Sequence, residues 1–149
     1  MIKENLTLKG DVTLTLTDKN GKLKDKKEIK NLVVNAGLSF ITSRMLGTSK
    51  AVMSHMALGS GSTAANASDT SLGSQVGSRE ALDSASETST GVITFASTFE
   101  PGDATGALTE AGIFNASSGG DMLCRTVFST VNKASTDTLA ITWSITVAV

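Results

Sequence analysis

Few side chains in this 149-residue chain could carry out chemistry. His55 is the single imidazole and Cys124 the single thiol. A nucleophilic triad would have to pair His55 with one of many serines. No serine sits in a Gly-x-Ser-x-Gly elbow, and Gly59-Ser60-Gly61 lacks the outer positions of that pattern. A solitary His within an apolar strand is more often a satisfied core or edge residue than a catalyst. Cys124 lies between Leu123 and Arg125. Arg125 could depress a thiol pKa, but strand neighbours point to opposite faces, so Cys124 reads as a buried structural thiol.

The carboxylates Glu80, Asp83, Glu87, Glu100, Asp103 and Glu110 are scattered, and Tyr, a common sugar platform, is absent. Whether any two could act as a glycosidase pair depends on their separation in space. No loop alternates acidic ligands for calcium around Asp69, Asp83 or Asp103. One Cys and one His exclude a disulfide framework, a polythiolate zinc site and paired-histidine metal motifs. The glycines at 59 and 61 are followed by no Lys-Ser/Thr, and no dinucleotide fingerprint opens a helix. The expectation is a protein without catalytic residues, metal or cofactor.

The elements that would position these residues are mostly strands. Val12 to Thr17 alternates apolar residues with Thr, the period of a half-buried strand. Asp18-Lys19-Asn20-Gly21 is a hairpin turn, and the return strand spans about Lys22 to Val34. Lys22, Lys24, Lys26, Lys27 and Lys30 crowd this ribbon. They suit an edge strand that resists foreign pairing, or a contact surface for an acidic partner. Leu38, Ile41 and Met45 recur at helical spacing, with Phe40 and Leu46 widening the stripe. Asn35 can cap the start and Gly47 the end, so one short helix is expected near residues 36–46.

A strand over about Val52 to Leu58 leads to a polar, small-residue stretch over 59–70. That stretch reads as a long surface loop, with Leu72 and Val76 anchoring its far end. Strands are expected near Arg79 to Ser84 and over Val92 to Phe99. A hairpin follows, Ala107 to Phe114 with Met122 to Phe128. Leu139 to Val149 alternates strictly, with Trp143 on its apolar face. About eight strands, one helix and no helical crossover imply an all-β, antiparallel β-sandwich, jelly-roll-like, in a single domain over 1–149. Residues 1–9 could form an N-terminal arm.

The formal charge is only −1, which argues against a general nucleic-acid binder. No run reaches the roughly 18 apolar residues needed to span a bilayer, and Met1-Ile2-Lys3-Glu4-Asn5 lacks an apolar export core. The expectation is therefore neither a nucleic-acid nor a membrane partner. The charge is uneven: residues 1–50 hold ten basic and five acidic side chains, residues 51–149 three and nine. Such polarity could orient the chain on a charged partner.

Leu58-Gly59-Ser60-Gly61-Ser62-Thr63-Ala64-Ala65, then Asp69-Thr70-Ser71-Leu72-Gly73 and Arg79, resembles a pattern of small bacteriophage virion proteins. Leu108-Thr109-Glu110-Ala111-Gly112-Ile113-Phe114-Asn115 is similar to their Glu-Ala/Val-Gly-Ile/Leu-Phe element. Asp121-Met122-Leu123-Cys124-Arg125-Thr126-Val127-Phe128 and Asn31-Leu32-Val33-Val34-Asn35-Ala36-Gly37 also resemble segments of that group. The size favours its head decoration (cement) proteins over its tail or fibre-base components.

The resemblance implies a β-sandwich on the capsid exterior that forms a homo-oligomer, a dimer or trimer, and clamps neighbouring major capsid subunits. It implies synthesis in the host cytoplasm, and it transfers no catalytic or metal residue. Lys22, Lys24, Lys26, Lys27 and Lys30 are then candidate capsid contacts. A lectin-like glycan-binding sandwich is the alternative outside the virion-shell reading. An enzyme would require His55 in a pocket beside a Ser or a carboxylate.

Overall fold

A computed structural model describes residues 4–149. Nine strands and one helix follow the order β1 (Thr7–Thr17), β2 (Leu23–Val33), α1 (Asn35–Met45), β3 (His55–Gly59), β4 (Glu80–Ala81), β5 (Ser84–Ser89), β6 (Val92–Phe99), β7 (Gly106–Phe114), β8 (Met122–Lys133) and β9 (Thr138–Ala148). They form one antiparallel sheet in the order β4-β3-β7-β8-β2-β1-β9-β6-β5. The protein is all-β, as the alternating patterns imply.

The sheet curls so that its two halves share one core. Val12, Leu14, Phe95, Phe99, Ile141 and Trp143 of one half pack in the same buried cluster as Met56, Leu58, Leu108, Ile113, Cys124 and Val131 of the other. The two facing layers of a jelly-roll-like sandwich are therefore present, but both belong to one continuous sheet. Two chain segments turn the corners, as strands that switch layers do in sandwiches. β2 pairs with β1 from Leu23 to Asn31 and passes to β8 only through Leu32 and Val33. On the opposite side, the strand expected over Arg79 to Ser84 is cut short to β4 at Glu80–Ala81, and a further strand, β5, starts at Ser84 and runs to Ser89. β4 pairs with β3 and β5 with β6. The Ser97 hydroxyl donates to the Ala81 carbonyl across this seam, at 3.1 Å.

β9 is the spine of one half, paired with β1 along its whole length and with β6 from Val92 to Phe99. Leu139, Ile141, Trp143 and Ile145 of β9 are buried, whereas Val147 is 37% exposed and Val149 is free of the sheet. The same pairing alters the expected arm over 1–9. Residues 7–9 belong to β1, opposite Thr146 to Ala148, because Thr7 and Leu8 continue the alternation. Residues 4–6 precede the strand and are exposed, and residues 1–3 lie outside the described residues.

The helix forms where expected, but its details differ. Val34 occupies the N-cap position without a side-chain cap, so Asn35 is the first helical residue and not the cap. Gly47, at φ +66°, ends the helix. The Gly47 N–H reaches the Arg44 carbonyl and the Thr48 N–H the Ser43 carbonyl, which together make a Schellman motif. The buried face is Gly37, Phe40 and Ser43; of the expected apolar stripe Phe40 is buried and Ile41 packs partly buried against the core, whereas Leu38, Met45 and Leu46 are exposed. The reason is close approach: a Cβ at Gly37 would collide with the Leu123 carbonyl of β8. Only glycine allows the helix to lie this low, and that contact rotates Leu38 and Met45 outward.

Candidate functional site

The residues that carry the sequence pattern converge on one carboxylate. Within β7 a bulge separates Leu108 from Glu110 in the pairing with β8. Leu108 and Ala111 thus join the core, while Glu110 turns to the other side of the sheet; bulges re-aim side chains in this way. Gly112 pairs with Arg125, so Glu110 and Arg125 are diagonal neighbours on that side. The Arg125 Nε donates to Glu110 Oε2 at 2.9 Å, and both residues are buried.

The loop over 60–79 closes over this pair. The N–H groups of Gly61, Gly73 and Ser74 donate to the Glu110 carboxylate at 2.9, 2.9 and 2.7 Å. Arg125 reaches Asp69 Oδ2 at 2.9 Å and the Thr63 carbonyl at 3.0 Å. Added Cβ atoms at Gly59 and Gly61 would strike the Glu110 side chain. The glycines therefore clear space for a carboxylate of the same chain, held in a nest of backbone N–H groups that elsewhere binds anions. Leu72 completes the attachment by packing with Val34, Ala57, Phe114 and Met122 in a second apolar cluster. Val76 packs against the main core, as an anchor for the loop's far end requires.

Burial acts to raise the Glu110 pKa, but the Ser74 and Gly73 N–H groups, Arg125 and the Gly61 N–H outweigh it and hold it below the usual carboxylate value. A carboxylate with a depressed pKa stabilises the fold above its unfolded value of about 4.3, and that contribution disappears as pH falls through the folded value. Asp137 is depressed as well, first by the Lys24 hydrogen bond and then by the Ala134 N–H. Melting temperature is therefore expected to hold between pH 7 and 5 and to fall below about pH 4.5. Glu110→Gln should flatten that acid limb in a series of thermal melts.

At the end of the loop, the Arg79 guanidinium lies 3.5 Å from the centroid of the Phe114 ring. Its Nη1 donates to the carbonyls of Ala116 and Gly119, both at 2.8 Å. One arginine thus ties the loop to the β7–β8 turn.

The five lysines of the ribbon do not form one surface. Among the described residues, the outer edge of β2 pairs with no strand along Leu23–Asn31, which agrees with an edge strand over that stretch; the Thr126 hydroxyl donates to the Lys30 carbonyl near its end, at 3.1 Å. Lys24 pairs with buried Asp137 at 2.6 Å, and Lys27 faces Asp25 at 3.7 Å on the side shared with Leu14 and Leu16. Lys26 lies 3.9 Å from Glu28, and Lys30 pairs with Asp11. Lys22 makes no ion pair among the described residues. Lys26 and Lys30 share the outer face with Thr15 and Asp11 across the strand pair, and both are well exposed.

Cys124 is fully buried, and burial pushes its thiol well above the ordinary value. Its side chain faces the core while that of Arg125 faces the loop. The Ser54 hydroxyl lies 2.7 Å from His55 Nδ1, an adjacent-residue contact at the start of β3. Among the described residues, no group of three His, Cys, Asp or Glu side chains is arranged to hold a metal ion. No helix of the described residues is long and apolar enough to cross a membrane.

Sequence reasoning missed the pairing of Glu110 with Arg125. The available signal was one charge inside each of two otherwise uncharged, mostly apolar segments, Leu108–Phe114 and Met122–Phe128. No family model matches the chain, and neither the curated proteins nor the solved structures contain a match.

Proposed function

We propose that this protein is a bacteriophage head decoration protein, bound to the outer face of the assembled capsid and stabilising contacts between major capsid subunits. The observation that carries the reading is the convergence of its sequence pattern. Gly61, Asp69, Gly73, Glu110 and Arg125, separated in sequence, meet in one network around a buried Glu110–Arg125 pair that fixes a long loop on the sheet. A loop of this length without strands of its own is usually functional. Here its backbone is tied down by hydrogen bonds to Glu110 and Arg125, which lowers the cost of ordering it on binding.

The mechanism is mass action. A protein that binds only the assembled shell stabilises that shell in proportion to its occupancy, and many copies convert modest contacts into high avidity. Lys26 and Lys30 are the ribbon residues whose placement suits an acidic capsid surface. Charge reversal of both, as Lys26→Glu/Lys30→Glu, is expected to weaken binding to undecorated heads at least about tenfold, with the larger share of the loss in association rate at low salt. Unchanged binding in a co-sedimentation assay would remove the ribbon from the interface. Quantitative mass spectrometry of purified virions tests the wider reading. Hundreds of copies per particle support decoration, whereas a handful would place the chain in the tail.

A further inference from the structure

The outward side of α1 carries an apolar stripe that the fold does not cover. Leu38 is 44% exposed and Met45 is 83% exposed. They flank Ile41 at helical spacing, and Ile41 also forms a wall of an apolar groove of about 320 Å³. Phe40, Phe95 and Leu123 lie deeper in this groove, with Val52, Ile93 and Val147 at its rim. A protruding stripe and a groove thus share one wall. The charges at the two sides are opposite. Arg44 lines the groove on the helix side, its guanidinium bonded only to the Lys50 carbonyl among the described residues. Exposed Glu87 lines an adjoining hollow with Ile93 and Val147 on the sheet side.

We propose that this face binds a second copy of the chain about a two-fold axis. Each copy seats its Leu38–Met45 stripe in the groove of the other, and Arg44 of one copy faces Glu87 of the other. A two-fold interface uses the same patch on both subunits, so it needs a knob, a hole and both charges on one surface. This face has all of them. Its area supplies most of the apolar surface such a contact needs. Leu38, Met45, Val52, Ile93 and Val147 leave roughly 320 Å² of apolar side chain uncovered, at about 120 Å² for each fully exposed one. A stable interface of about 800 Å² per partner, a little over half of it apolar, needs roughly 450 Å².

The inference deepens the self-association within the proposed function. It concerns the isolated chain, so it can fail while capsid binding holds, and the reverse. Sedimentation velocity between about 1 and 100 µM tests it. The wild-type chain is expected to sediment at twice its 15.3 kDa mass. Met45→Glu/Val52→Asp, at exposed positions, is expected to sediment as a monomer with an unchanged far-UV circular dichroism spectrum. Arg44→Glu and Glu87→Arg should each weaken the dimer about tenfold, and the two together should restore it. A wild-type monomer or trimer, or a dimer indifferent to all of these changes, would overturn the proposal.

Discussion

Glu110→Ala is expected to destabilise the protein by about 3–5 kcal/mol, the cost of removing one partner from a buried, hydrogen-bonded ion pair. The substitution leaves Arg125 short of its buried counter-charge and orphans the N–H groups of Gly61, Gly73 and Ser74. For a chain of this size the melting temperature should fall by roughly 10 °C. Arg125→Met should cost less, since the carboxylate keeps three N–H donors. Both variants should free the loop over 60–79, so limited proteolysis should cut there first. A loss below about 1 kcal/mol for Glu110→Ala, measured by urea titration, would show that the network does not hold the loop.

The second large effect is expected at Trp143. It is fully buried, pairs across the sheet with Val12 and Phe95, and its Nε1 finds no hydrogen-bond partner among the described residues. Trp143→Ala should cost about 3–5 kcal/mol, as lost burial and a cavity add together. Trp143→Phe should cost less than about 1.5 kcal/mol. Removing an unsatisfied buried N–H recovers about 1–3 kcal/mol, which offsets the lost volume. Calorimetry on the two variants separates packing from polarity. Equal destabilisation by both would mean that the indole N–H is satisfied in the native state.

Strands with strict alternation could be read from sequence alone. β6 has its expected limits, and β9 lies within one residue of them at each end, because Leu139 to Ile145 and Phe95 to Phe99 bury every second residue. Alternation reports one strand and its two faces, which is all those elements require. The helix was legible in extent but not in orientation. Apolar spacing favoured Leu38 and Met45 as the core face, whereas backbone proximity to Leu123 selected Gly37. Close approach is decided by what lies opposite, and the helix sequence does not contain that information.

The candidate site shows the same division. Glycines at 59, 61 and 73 and an Asp at 69 stood out as a pattern, yet their common target depends on the β7–β8 register and its bulge. The lysine ribbon reads as more basic in sequence than it is in the fold, because two of its counter-charges are remote. Asp11 and Asp137 reach Lys30 and Lys24 only once β1 and the β8–β9 turn are in place.

Cryo-electron microscopy of the intact virion tests the proposed decoration of a phage head most directly. Density for this fold is expected at repeated positions over the outer capsid surface, with the β2 edge and its Lys26 and Lys30 against capsid subunits. Density confined to the tail, or a particle without this chain, would contradict it.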